Sequence, residues 1–273
     1  MDVSLLHRLA GAWLGHRQAI TKGLIPESVS AIADQLWLAF LKAEDWEAVI
    51  RQGSFSWQTC ALENALALLP VMLFFHEDPH YLGDRLSRCE LPAGQLVVVQ
   101  DLGQCMSDSL REKIDPANFV SWLEWRSPEF LVGSAFLESA YDRHDPWQSY
   151  QKQLGQSTFT VPAQSLLRLY GAMMWSCGHW PLGMQLLRES PAVVQAWGDI
   201  LWGALRGDHR IQVDRLRINN DKKPLWDVVG FWSRWSGLPP KNRLQLEHLP
   251  VIANAQGLKP RSALKLISQR HLT

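Results

Sequence analysis

The stretch ENALALLPVMLFFHEDPHYL, Glu63 to Leu82, constrains the fold more than any other part of the chain. Leu62, Ala65, Leu66, Leu69, Met72 and Leu73 share one helical face, while Ala67, Leu68, Val71, Phe74 and Phe75 fill the rest of the circumference. A helix that is apolar all round has no face for water, so it belongs at the centre of a helical assembly. Pro70 carries no N–H for the carbonyl of Leu66, and its ring crowds the preceding turn. The spacing therefore predicts two half-helices with a break between them. The run ends in His76-Glu77-Asp78-Pro79-His80, which could ligate a metal; Asp78 followed by Pro79 also reads as the cap and first-turn residue of a new helix.

The same punctuation recurs along the chain. Leu5, Leu6, Leu9, Ala12 and Trp13 follow helical spacing, with Gly11 and Gly15 four apart on one face, where another helix could come close. Pro26 opens a second helix through Val29, Ile32, Ala33, Leu36, Trp37 and Phe40, with a break at 43–45 and Asp45 capping a short third. Val97 to Val99 would suit a strand, but Leu102, Cys105, Met106 and Leu110 extend that segment with helical spacing. Helix starts of the Asp-Pro or Ser-Pro kind follow at Asp115, Ser127, Asp145 and Ser190, and Pro162 and Pro181 fall in first turns. The expected fold class is all-α, an orthogonal multi-helix bundle.

Beyond Gly207 the pattern changes. Ile211, Val213, Leu216 and Ile218 alternate with charged residues around INNDKKP, which suits a small β-hairpin as well as a helix. Residues 1–207 hold 15 Lys and Arg against 22 Asp and Glu, net −7, and residues 208–273 hold 12 against 5, net +7. We accordingly expect a helical domain over 1–207 and a basic extension over 208–273 packed on it. Arg210, Arg215, Arg217, Lys222 and Lys223 are the candidate partner-binding residues, set against the alternative that this charge only balances the acidic body. Trp226, Trp232 and Trp235 could stack on bases, but with Val229 they keep helical spacing, which favours core packing over nucleic-acid binding.

Fourteen Trp against four Tyr point to a core or interface rich in indole rings. The four cysteines, Cys60, Cys89, Cys105 and Cys177, lack metal spacing and are too few for a disulfide scaffold, so buried reduced thiols and a cytoplasmic setting are expected. The longest apolar run, Ala65 to Phe75, is far short of the roughly 20 residues of a membrane helix, and the opening residues lack the layout of a secretory signal. No nucleophile elbow, zinc-protease, phosphate-loop or dinucleotide glycine signature is present. Cys177 and His179 could pair as nucleophile and base, but no third group is in place to orient them.

Three stretches in order resemble the ADP-ribosylglycohydrolase family, an all-α fold. RLAGAWLGHRQA, Arg8 to Ala19, is similar to the family's opening helix at Gly11, Ala12 and Gly15, and departs from it over His16 to Ile20. The central stretch is similar at Asn64, Pro70, Leu73, Phe74, Phe75, Asp78, Pro79 and Leu82, and AWGDILWGALRG, Ala196 to Gly207, at Gly203, Ala204, Leu205 and Gly207. The family's chemistry rests on two magnesium ions held by carboxylates from a T-D-D and a G-G-D-T-D-T stretch, since hard cations require oxygen ligands. Those positions fall here on PESVS, Pro26 to Ser30, where only Glu27 is acidic, and on RESPAV, Arg188 to Val193, with Ser190 and Ala192 at the two aspartate positions.

The resemblance thus implies a chain with no catalytic or metal residues and no cofactor, reused to bind another protein. The alternative is a sensor that holds ADP-ribose or another nucleotide in the old cleft without cleaving it. Nucleic-acid binding by the tail is the weakest of the three.

Overall fold

The computed structural model describes residues 5–52, 57, 60–114, 128–207 and 223–236. Among them are thirteen helices and no strand. In chain order these are α1 (Leu5–Thr21), α2 (Glu27–Lys42), α3 (Trp46–Gln52), α4 (Ala61–Ala67), α5 (Leu69–Phe74), α6 (Pro79–Ser87), α7 (Ala93–Leu110), α8 (Pro128–Asp142), α9 (Trp147–Gly155), α10 (Val161–Trp175), α11 (Trp180–Leu186), α12 (Ala192–Arg206) and α13 (Lys223–Ser236).

The centre of the protein is the α4–α5 pair, broken at Leu68, whose backbone (φ −87°, ψ 3°) leaves the helical geometry for one residue. Pro70 sits in the first turn of α5, where its missing N–H costs nothing because first-turn N–H groups have no partner within the helix. Every residue from Leu69 to Phe74 is buried, and α2 and α7 pack against both halves. The run ends at Phe75, and Asp78 caps α6: the Tyr81 N–H donates to Asp78 Oδ1 at 2.9 Å, with Pro79 as the first helical residue. Asp78→Ala is expected to cost about 1 kcal/mol, the ordinary worth of such a cap, and a denaturation midpoint unchanged from the parent would refute it.

Local signals place the α2–α3 break as well. Ala43 turns left-handed (φ 61°), and Asp45 Oδ1 accepts the Glu47 N–H at 3.0 Å. The Asp145-Pro146 start is a correction. Pro146 itself occupies the cap position of α9 without a side-chain bond, and the Asp145 carboxylate instead accepts from Arg143 at 2.7 Å and Gln153 at 3.2 Å. A guanidinium two residues upstream competes better for that carboxylate than a backbone amide does. Ser190 is corrected likewise, since Pro191 is the cap of α12 and the Ser190 hydroxyl makes no hydrogen bond among the described residues. The start at Asp115 lies outside the described residues.

The first helix closes on a partner almost two hundred residues away. α1 and α12 form the most extensive helix pair among the described residues. Gly11 lies against Gly203 and Gly15 against Asp199, so an advance of four residues on one helix matches a retreat of four on the other. The two helices are therefore antiparallel. A Cβ placed on Gly11 would lie 2.2 Å from the Gly203 carbonyl oxygen, and one on Gly203 would lie 2.2 Å from the carbonyl oxygen of Gly11. Arg8, also buried, ties the start of α1 to the end of α7 through the Ser109 carbonyl (3.0 Å) and the Glu112 carboxylate (2.8 Å).

α13 packs on α1 and α2. Its buried line includes Val228, Phe231 and Trp235, with Trp232 half-buried beside Trp235, so Trp232 and Trp235 of the expected stripe pack on the body, while the side chains of Trp226 and Val229 lie outside the described residues. Phe231 adds a ring to that face which the spacing had not singled out. Lys223 to Val228, which the hairpin reading included, open this helix; the remainder of that candidate hairpin lies outside the described residues.

Most of the described Trp rings are buried or packed on the core. The cysteines are free, with Cys89 and Cys105 buried, Cys60 half-buried and Cys177 exposed, the last contrary to expectation. Cys177 follows the end of α10 in a left-handed turn (φ 47°), which lifts its side chain off the bundle. No helix of the described residues is long and apolar enough to cross a membrane.

Candidate functional site

Asp199 and Lys22 meet at the α1–α12 seam. Gly15 has no side chain, so α12 comes close enough to bring Asp199 under the end of α1, where Lys22 Nζ lies 2.7 Å from Asp199 Oδ2. Asp199 is 2% exposed, while the Lys22 side chain keeps 39% of its surface in water. Burial pushes the Asp199 carboxyl up from the usual range, and hydrogen bonds from Lys22 and Trp180, with the Lys22 charge, draw it back.

His16 lies one residue further along α1 and is fully buried. Its ring stacks on Trp13 at 5.0 Å between centroids, and neither ring nitrogen has a hydrogen-bond partner among the described residues. Burial first, and the neighbouring Arg17 charge second, push its pKa down to about 3. Arg17 lies 5.1 Å over the Trp13 ring and pairs with Asp34 of α2 at 2.8 Å.

A measurable pH dependence follows. The unfolded imidazole takes up a proton as the pH falls through 6.5, whereas the folded one resists it down to about 3. Stability attributable to His16 is full above pH 6.5 and declines as the pH falls, by about 2 kcal/mol between pH 7 and pH 5. Asp199 acts in the opposite sense: its folded carboxyl binds a proton more readily than the unfolded one, which adds stability as the pH drops toward 3.8. Denaturation midpoints of the parent and of His16→Phe, taken from pH 7 to 5, separate the two, and the variant should show the shallower loss. Equal slopes would refute the assignment.

The segments expected to hold carboxylates carry other groups. At the start of α2, Glu27 is exposed and its carbonyl accepts from the Ser30 hydroxyl at 3.0 Å. At the start of α12, Ser190 is buried, and the Gln195 side-chain amide donates to the carbonyls of Ser190 (2.8 Å) and Arg188 (3.1 Å). Among the described residues no group of three or more His, Cys, Asp and Glu is placed to hold a metal ion.

The other sequence candidates separate in space. In HEDPH, His76 points into the core with Nδ1 2.7 Å from the Leu73 carbonyl, Asp78 is spent on its cap, and His80 is exposed. Cys177 and His179 are both exposed, and the hydrogen-bond partner of the thiol is the Tyr141 hydroxyl, a weak acid that burial makes weaker still. Arg210, Arg215, Arg217 and Lys222 lie outside the described residues, and Lys223 is described only as the first residue of α13.

Sequence reasoning passed over His16, Lys22 and Asp199. The available signal was a polar residue beside a helix-contact glycine, His16 after Gly15 and Asp199 after Gly198, but only the pairing of α1 with α12 brings Asp199 to Lys22. Comparison with protein families, with curated proteins and with solved structures finds no family model, protein or structure that matches this chain.

Proposed function

We propose that this chain is a protein-binding regulatory module that resembles ADP-ribosylglycohydrolases and carries out no hydrolysis. The observation that supports the reading is the fate of the two segments where the resemblance calls for paired carboxylates. One offers a single exposed Glu27, and the other offers Ser190 and Ala192 under a Gln195 amide. A binuclear magnesium centre needs clustered oxygen anions to orient the ribose and activate water, and these groups cannot supply them. The glycine motifs behind the resemblance remain in use as framework, because Gly11 and Gly203 are where α1 and α12 touch.

The test is direct. The 273-residue chain incubated with ADP-ribosylated arginine or serine substrates and magnesium is expected to release no ADP-ribose above background, and turnover would overturn the proposal. Calorimetry with ADP-ribose, ADP and NAD is expected to show no heat of binding; saturable heat would move the assignment from a protein-binding module to a ligand sensor.

A further inference from the structure

We infer that α13 is a ligand helix docked in cis, seated in an aromatic groove that the rest of the protein presents for a helix of this kind. The inference deepens the protein-binding reading by naming the surface involved. Its first support is architectural. The helices from α1 to α12 close on themselves, because α1 packs along α12 through Gly11 and Gly203. α13 is added outside that closure and lies against α1 and α2.

The contact has the form of helix-in-groove recognition, in which apolar anchors at i, i+3 and i+7 enter a hydrophobic trough. Val228, Phe231 and Trp235 have this spacing and are 2%, 1% and 5% exposed. Phe231 stacks on Trp37 at 4.1 Å and meets Phe40 and Phe74 edge-on at 5.8 and 5.4 Å. Trp235 lies 5.1 Å from the His76 ring, and Gly230 leaves room for Leu41. The walls are thus Trp37, Phe40 and Leu41 of α2 with Phe74 and His76 from the central run.

The kind of partner this groove accepts when α13 leaves is an amphipathic helix with aromatic residues at the Phe231 and Trp235 positions.

Two measurements on the full chain test this. In native-state hydrogen exchange, amides of residues 228–235 are expected to open at least about tenfold more often than those of α1 and α12, as a separate cooperative unit. In the second, a labelled peptide of residues 223–236 is titrated into the full chain. It competes with the resident helix, so Phe231→Ala in the chain is expected to tighten binding by about tenfold or more, and Phe231→Ala in the peptide to abolish it. Exchange of α13 only together with α12, or a peptide affinity indifferent to the chain's Phe231→Ala, would overturn the inference. Substrate turnover in the hydrolysis assay would remove the non-hydrolytic reading and leave the groove intact. A failed peptide exchange would remove the groove and leave that reading to stand on another surface.

Discussion

Gly11→Ala and Gly203→Ala are each expected to lower stability by about 3 kcal/mol or more, among the largest effects of any single methyl group added to this protein. The reason is the identity of the atom that would be struck. A Cβ on either residue falls 2.2 Å from the facing carbonyl oxygen, and that carbonyl belongs to a helix backbone that cannot turn aside as a side chain would. Relief requires α1 and α12 to separate, and this would strip contacts from the most extensive helix pair among the described residues, including the approach that brings Asp199 to Lys22. A fall in Tm of roughly 6–12 °C is the corresponding thermal result. Gly94→Ala in α7 is the control: nothing lies within 4 Å of its Cβ position, and alanine suits a helix better than glycine, so stability should hold or rise slightly. Equal behaviour of Gly11→Ala and Gly94→Ala would show that the seam is not closely packed.

Trp13→Ala is the second large loss, about 3–5 kcal/mol. Trp13 is 1% exposed and forms the middle of a pile of rings, with His16 at 5.0 Å, Trp37 at 3.8 Å and, beyond Trp37, Phe231 of α13 at 4.1 Å. Its removal leaves a cavity among rings that cannot slide together, because each is held by its own helix. Trp13→Phe should cost far less, about 1–2 kcal/mol, since the indole N–H makes no hydrogen bond among the described residues and only volume is lost. Chemical denaturation of the two variants measures the difference. Near-equal costs would mean that the indole N–H, and not the pile of rings, is what Trp13 contributes. Since the pile reaches Phe231, Trp13→Ala should also raise hydrogen exchange in α13.

Residues whose role depends on the next turn of chain were legible in the sequence. Pro70 placed the break between α4 and α5, Asp78 with Pro79 placed the start of α6, and Asp45 placed α3, because a missing N–H and a short acceptor side chain act within a few residues. The same rule misplaced the cap at α9, where Arg143 and Gln153 claimed Asp145. The exposure of Cys177 was also missed, as it depends on what the neighbouring helices leave uncovered.

By itself, then, the sequence determined that this protein is built of helices, where most of them begin, and that the run from Leu62 to Phe75 lies at the centre. Those properties follow from backbone donors, caps and the period of apolar residues, all of which act over short separations. Only the tertiary structure decided that α1 finds α12, that a neutral His16 and the Lys22–Asp199 pair share that seam, and that Phe231 seats α13 on Trp37. Such pairings depend on shape and burial between residues as many as 194 positions apart, Trp37 and Phe231, and local propensity carries no record of them.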